Sequence, residues 1–288
     1  MTAQIISGKE VAAEIRGRIS EDVLRLKETG IIPGLTVILV GDNPASRSYV
    51  TAKQKACNDT GIHSTLLEFP ETMTETNLLN EITKLNNDPE VHGILVQLPL
   101  PKHINELAVI EHISPNKDVD GFHPINVGRM MTGQDAFLPC TPFGIVEMVK
   151  SKQIPIAGKH VVVIGRSNIV GKPVGQLFLK ENATVTYCHS RTTNLKEITK
   201  QADILIVAVG KAHFIDGEYI KEGAVVIDVG VNRLDTGKLV GDVLFEDASH
   251  VAGYITPVPG GVGPMTITML LYNTILSAKT SSEQMSNI

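Results

Sequence analysis

Val161-Val162-Val163-Ile164-Gly165-Arg166-Ser167-Asn168-Ile169-Val170-Gly171-Lys172-Pro173 is a β-branched apolar run that stops at a glycine and resumes with helical residues. Strand, glycine turn and helix in that order are the start of a βαβ unit. Glycine lets a backbone come close to a pyrophosphate, and the helix behind it offers free N–H groups and a favourable dipole. The pattern is not G-x-G-x-x-G: Ser167 takes the middle position and Gly171 comes one step late. Taken alone, the stretch also reads as a glycine turn that merely starts a helix.

The end of the next strand sharpens the reading. A site for NAD usually places a carboxylate there, about 20 residues beyond the glycines. Here the chain reads Cys188-His189-Ser190-Arg191-Thr192, with no carboxylate to repel a 2′-phosphate. Ser190 can donate to such a phosphate, Arg191 can pair with it, and Arg166 and Ser167 lie in the turn at the same edge. NADP is therefore favoured over NAD. Two further strand ends, Val209-Gly210-Lys211 and Asp228-Val229-Gly230-Val231-Asn232, fall where ligands bind in open α/β sheets, though glycine at a strand-to-helix turn accounts equally well for Gly210.

Outward from this stretch the alternation continues. Strands are predicted at 160–164, 183–187, 203–209 and 224–228, with helices at 171–180 and 194–201. In the first half, Val11, Ile15, Ile19, Val23 and Leu26 form a helical stripe that ends before Gly30. Strands at 35–40, 64–69 and 93–98 alternate with helices at 46–58, closed by Gly61, and after the cap Thr74. This second βαβαβ set implies a mostly parallel sheet covered by helices. Between Pro99 and Pro142 six prolines and several glycines break the pattern, as in an inter-domain region. Pro264 opens a last helix to about residue 278, and the polar stretch 281–288 is expected to fray.

Composition narrows the class. The 288 residues are 42% hydrophobic and 20% charged, enough to fill a core. Twenty-six Lys and Arg against thirty-one Asp and Glu give a net charge of −5 without a block of one sign, which argues against a nucleic-acid partner. Apolar runs are too short for a membrane span, and Met1-Thr2-Ala3-Gln4 begins no signal peptide. Cys57, Cys140 and Cys188 are odd in number and widely spaced, which fits a reducing cytoplasm. The nine histidines show no ligand spacing, so no metal is expected.

Four features of the rest of the chain carry chemistry. Tyr49 and Lys53 lie four apart on a predicted helix and share a face. A desolvated lysine exchanges protons near neutrality and a phenol can hydrogen-bond the reacting group, yet the spacing itself is commonplace. Gln97 ends an apolar strand, and a buried amide there needs a partner: a ligand, a catalytic side chain or the next loop. Of Asp118 and Asp120, one can grip a ring amidine or amino group, and either can cap the turn at Gly121. Pro257-Val258-Pro259-Gly260-Gly261-Val262-Gly263-Pro264 is a constrained, close-approach loop at a helix start, and a ligand contact is favoured there.

Tyr49-Val50-Thr51-Ala52-Lys53, Gln97-Leu98-Pro99-Leu100-Pro101, Lys117-Asp118-Val119-Asp120-Gly121, the Gly165–Pro173 turn and Pro259-Gly260-Gly261-Val262-Gly263-Pro264-Met265-Thr266 occur in one order. In this the chain resembles the bifunctional methylenetetrahydrofolate dehydrogenase/methenyltetrahydrofolate cyclohydrolase family of one-carbon metabolism, over about residues 4–279. The resemblance implies two α/β domains around a cleft. Residues 1–120 would be the folate-binding domain, with the C-terminal helix 265–288 packing back on it. Residues 140–264 would be a Rossmann-like NADP-binding domain, and 121–139 the connection. It further implies NADP-dependent oxidation of 5,10-methylenetetrahydrofolate, then hydrolysis to 10-formyltetrahydrofolate, in a cytoplasmic homodimer serving purine biosynthesis.

By the same resemblance, Lys53 transfers the proton, Tyr49 stacks on or hydrogen-bonds the folate, and Gln97 positions and tunes the lysine. Asp120 holds the pterin, while Leu98, Pro99, Pro259, Gly260 and Gly261 line the folate site. Arg166 and Ser190 hold the 2′-phosphate, with Gly165, Ser167, Arg191 and Val231 at the cofactor. A short-chain dehydrogenase, which also carries Y-x-x-x-K, has its cofactor turn first, and here the order is reversed. A non-catalytic NADP binder would leave Tyr49, Lys53, Gln97 and Asp120 without a use. An interaction module would leave the 257–264 loop and the Ser190-Arg191 pair unexplained.

Overall fold

The structure is a computed structural model describing residues 2–286. It opens with β1 (Gln4–Ile5) and α1 (Gly8–Glu28). β2 (Gly34–Val40), α2 (Pro44–Thr60), β3 (His63–Phe69), α3 (Glu75–Asn87) and β4 (Gly93–Val96) then alternate. Three helices follow, α4 (Glu106–His112), α5 (Pro124–Met131) and α6 (Cys140–Ser151). Next come β5 (His160–Ile164), α7 (Gly171–Lys180), β6 (Thr184–Cys188), α8 (Leu195–Thr199), β7 (Ile204–Val207) and β8 (Val225–Asp228). The chain ends with β9 (Asn232–Arg233), β10 (Leu239–Val240), α9 (Phe245–Ala248), β11 (Tyr254–Ile255) and α10 (Val262–Ser286).

The elements form two compact units. One comprises Glu14–Cys140 with Ile267–Ile288, the other Met1–Ala13 with Thr141–Thr266. In the first, a parallel sheet has the order β3-β2-β4, with Val37 beside Leu66 on one side and Leu95 on the other. All seven residues of β2 are buried, as a central parallel strand requires. Ile38, Leu78, Ile82, Ile94 and Val109 build a core around the sheet and α3. α10 adds polar ties to this unit. Buried Asn273 donates through Nδ2 to the carbonyls of Val119 (2.8 Å) and Leu138 (3.0 Å), and Ser277 Oγ donates to those of His92 (2.6 Å) and Asn116 (2.9 Å).

In the second unit, six parallel strands have the order β1-β11-β8-β7-β5-β6. Counted from β5 this is the order 2-1-3-4-5, in which the sheet changes direction between β5 and β7; ligands in doubly wound sheets sit at the strand carboxyl ends there. β1 joins this sheet through Gln4 beside Tyr254, which is why the first residues of the chain cluster with its second half.

The region 99–142, expected to be irregular, holds α4, α5 and the start of α6. Asn105 caps α4 through the amides of Leu107 and Ala108, and His123 with Pro124 opens α5. With seven and eight residues, α4 and α5 complete too few turns for an apolar stripe to register. α10 extends to Ser286, beyond the expected end near 278, because lengthening a formed helix costs far less than starting one. Residues 287 and 288 of the tail expected to fray lie outside the described residues. No described helix is long and apolar enough to cross a membrane.

Asn273→Leu would leave the half-buried Leu138 carbonyl without its donor and the Val119 carbonyl with the Cys140 thiol alone. We expect a loss of about 1–3 kcal/mol in urea unfolding, the usual cost of an unpaired buried group; an unchanged midpoint would show that other donors take over.

Candidate functional site

α2 starts where Asn43 Oδ1 accepts from the amides of Ala45 (3.0 Å) and Ser46 (3.2 Å), with Pro44 in its first turn. That start places Lys53 in the third turn, only 8% exposed, and Tyr49 one turn earlier, 45% exposed. The shared face thus holds one buried amine and one accessible ring. Lys53 Nζ donates to Gln97 Oε1 at 3.0 Å, and Gln97 Nε2 donates to the Leu98 carbonyl at 2.7 Å. Gln97 is half-buried rather than buried as expected, because it lies just past the end of β4, yet it meets the Lys53 amine and also ties down the next loop. β4 ends at Val96, one residue before it, but the Gln97 amide still donates to Ile38 O at 2.9 Å and keeps the side chain in register.

Burial lowers the pKa of Lys53, and the negative charge of Asp120 partly opposes that shift. Burial raises Asp120, with Lys53 pulling in the other direction. Among the described residues no direct ion pair joins Lys53 to Asp120, so each retains polar capacity for a ligand. Asp118 is the structural member of the pair. Its carboxylate accepts from the amides of Phe122 (3.2 Å) and His123 (2.9 Å) and from Asn126 Nδ2 (2.9 Å), and burial pushes it up to about 6. Spacing alone could not separate Asp118 from Asp120.

Cys140 and Asn273 were not singled out by sequence reasoning. Cys140 is buried, its Sγ donates to the Val119 carbonyl at 3.2 Å, and burial keeps the thiol protonated by raising its pKa well above the usual range. Together with Asn273 it fixes the peptide that carries Asp120. Asn273 interrupts an apolar run, the same signal that marked Gln97; Cys140 offers no such signal.

In the other unit, Gly165 follows β5 with φ of +141°, and a Cβ there would run into the Ala208 backbone. Ser167 Oγ accepts from the amides of Val170 (3.2 Å) and Gly171 (3.1 Å), and its carbonyl accepts from Lys172 (3.0 Å). The first amides of α7 are therefore occupied, contrary to the expectation of free ones. The amides with no partner among the described residues are those of the preceding turn, Arg166 to Ile169. A cavity of about 220 Å³ opens beside this turn at the β5–β7 switch, lined by Gly165, Arg166, His189, Ser190, Val209 and Lys211. Open amides, two cations and a serine hydroxyl suit a phosphorylated dinucleotide. Arg166 and Ser190 are brought together here. Ser167, Arg191 and Val231 do not line the cavity, and Val231 is 49% exposed in the turn after β8. Lys211 lies in one of the strand ends noted in the sequence, but a single lysine after Gly210 has no pattern that would give it a role of its own.

Leu98 and Pro99 follow Gln97 in the first unit, whereas Pro259, Gly260 and Gly261 belong to the second. The close approach expected of this glycine loop has an internal use: the Gly260 carbonyl accepts from the Lys9 amide at 3.2 Å, and a Cβ on Gly8 would strike the Gly261 carbonyl.

A two-unit α/β chain with a buried amine in one unit and a cavity suited to a dinucleotide in the other matches two family models. Residues 6–120 match the catalytic domain of tetrahydrofolate dehydrogenase/cyclohydrolase, and residues 139–282 match its NAD(P)-binding domain. The chain belongs to the tetrahydrofolate dehydrogenase/cyclohydrolase family. It is 71% identical over 279 residues to a bifunctional protein FolD of Bacillus cereus, covering 97% of this chain and 98% of that one. Among solved structures it resembles the bifunctional FolD methylenetetrahydrofolate dehydrogenase/cyclohydrolase of Campylobacter jejuni, with TM-score 0.95, 51% identity and coverage of 96% and 99%. The Trypanosoma brucei FolD complexed with NADP cofactor and inhibitor gives TM-score 0.94 at 40% identity, covering 98% and 99%.

Removing the Asp120 charge should leave the burial of Lys53 unopposed. Asp120→Asn is therefore expected to lower the Lys53 pKa further, moving the pH profile of its reaction with an amine reagent such as trinitrobenzenesulfonate to lower pH. An unmoved profile would show that Asp120 does not govern the amine.

Proposed function

We propose that the chain oxidises 5,10-methylenetetrahydrofolate to the methenyl form with NADP and then hydrolyses that form to 10-formyltetrahydrofolate. The observation that carries the assignment is the buried Lys53 amine held by Gln97 at 3.0 Å, with Asp120 as its charged neighbour. Family membership and the cavity at Arg166 and Ser190 support it.

The methylene carbon lies between two nitrogens whose lone pairs stabilise the cation left when hydride departs, so the first step needs positioning more than an acid or base. NADP, when bound, accepts that hydride. In the second step water adds to the methenyl cation, and Lys53, whose lowered pKa favours the neutral amine, accepts the proton released at the attacking oxygen. The carbinol then collapses: its C–N5 bond breaks as the hydroxyl gives up its second proton to form the formyl group, N5 takes one proton through Lys53, and the other leaves to solvent. Gln97 aims the amine by holding one of its hydrogens, Tyr49 offers an exposed ring for the folate, and Asp120 accepts hydrogen bonds from the pterin edge. Leu98, Pro99, Pro259, Gly260 and Gly261 complete the folate assignment, and Gly165, Ser167, Arg191 and Val231 that of the cofactor. A homodimer in the cytoplasm, with no nucleic-acid partner, goes with this assignment on the strength of the family likeness.

Two measurements test it. Lys53→Met should cut decay of methenyl absorbance by about 10²–10⁴-fold toward the uncatalysed rate while part of the dehydrogenase activity persists. Equal loss of both, with folate still bound, would remove the split role. Arg166→Ala should raise KM for NADP by about tenfold or more and leave the weaker use of NAD little changed, since a charged hydrogen bond to the 2′-phosphate is worth roughly 1.5–3 kcal/mol. Equal effects on both cofactors would place the 2′-phosphate elsewhere.

A further inference from the structure

β7 ends in a turn whose successive amides converge on a buried carboxylate, and β8 ends in a buried carboxylate of its own. The amides of Val209, Gly210 and Lys211 donate to Asp242 at 2.7, 2.9 and 2.8 Å, and Asn232 Nδ2 donates to it at 2.9 Å. Gly210, at φ of +66°, is the position that lets consecutive amides point to one anion. Asp228, at the end of β8, accepts from the amides of Gly230 (3.0 Å), Asp242 (2.9 Å) and Val243 (2.9 Å). Both aspartates are buried, and among the described residues neither is ion-paired with a cation. The space is reserved on both sides: a Cβ on Gly230 would collide with the Asp242 carboxyl, and one on Gly241 with that of Asp228.

We infer that Asp242 is a positioning residue for the nucleotide, its carboxylate fastening the β7 turn that walls the nucleotide cavity to the β8 turn that carries Val231. Val209 and Lys211, whose amides it holds, both line the cavity. A general stabilising role would be met by any partner for these amides. Only one rigid acceptor shared by three consecutive amides and by Asn232 sets the two turns relative to each other, and with them the place of the Lys211 ammonium. Four donors for two carboxylate oxygens leave the side chain no second arrangement. The role rests on the proposed NADP site, although Asp242 itself does not line the cavity.

Asp242→Asn keeps the shape but presents an NH₂ group to amides that need an acceptor. Titration with NADPH, followed by its fluorescence, should show the dissociation constant rise about tenfold or more, and KM for NADP should follow it while kcat at saturation changes by less than about twofold. Hydrolysis of methenyltetrahydrofolate without NADP should be unchanged, because Lys53, Gln97 and Asp120 lie in the other unit. Asn232→Ala, which removes one donor and leaves the carboxylate, should give a smaller defect of the same selectivity, about two- to threefold, and carries the test if the first variant does not fold. Unchanged NADPH affinity in folded Asp242→Asn, silence of Asn232→Ala, or parallel loss of NADPH binding and hydrolysis would each overturn the inference. Failure of the unaltered protein to bind NADPH while it still hydrolyses the methenyl form would instead overturn the NADP assignment.

Discussion

An ammonium group withdrawn from water is the most demanding feature of this protein. Lys53 stands almost wholly inside the β3-β2-β4 unit, where a charge without partners would cost several kcal/mol, so the amine yields part of its basicity instead. Its neighbours follow from that. Gln97 must accept from it, which requires β4 to end where an amide can turn back toward α2. Asp120 must stand near enough to be felt and far enough not to form a closed ion pair. The peptide bearing Asp120 must then be held from behind, and Asn273, Cys140 and the Asp118 cap do so through the Val119 carbonyl and the Phe122 and His123 amides.

Parallel strands set a second, general constraint. Their carboxyl ends leave backbone amides of the following turns without ladder partners, and each must meet water, a side chain or a ligand. The six-stranded sheet meets this in two ways. After β7 and β8 the amides are satisfied inside the protein by Asp242 and Asp228. After β5 the helix amides are satisfied by Ser167, but those of Arg166 to Ile169 stay open. The open turn lies at the sheet's switch point and the closed ones lie side by side next to it. A ligand rich in phosphate oxygens is thereby offered one set of donors beside rigid walls.

The alternation of strands and helices was legible because each element was long enough for its period to show, as in β2, α3 and β5. β1 and β11, two residues each, were not, since alternation has no meaning over two positions. The same applies to α4 and α5 in the proline-rich region. Within the site, Gln97 stood out because an amide among apolar residues demands an explanation, and Asn273 would have yielded to the same question. Asp118 and Asp120 could not be told apart, because which of two near-adjacent carboxylates caps a helix depends on the path of the turn. Ser190 drew notice by standing where a carboxylate was missing, and Arg166 by lying in the glycine turn at the same edge. Asp242 gave no sign, since its partners are amides 31 to 33 residues away, and backbone amides carry no sequence signature.

In the proposed mechanism the two chemical steps ask opposite things of Lys53, and its surroundings reconcile them. Hydride loss creates a cation, and an ammonium nearby would oppose it; hydration of that cation then needs a base. An amine with a lowered pKa meets both demands. The positive charge formed in the first step disfavours the protonated amine still further, by charge repulsion, just as the negative charge of Asp120 favours it by attraction. With the proposed substrate in place, the product of oxidation thus drives Lys53 toward the neutral form that hydration requires. A carboxylate in its position would be driven to its base form as well, but as an anion it would also stabilise the cation and so oppose its hydration, which a neutral amine does not do. That difference is a physical reason for a buried lysine, rather than an aspartate or glutamate, at the centre of this site.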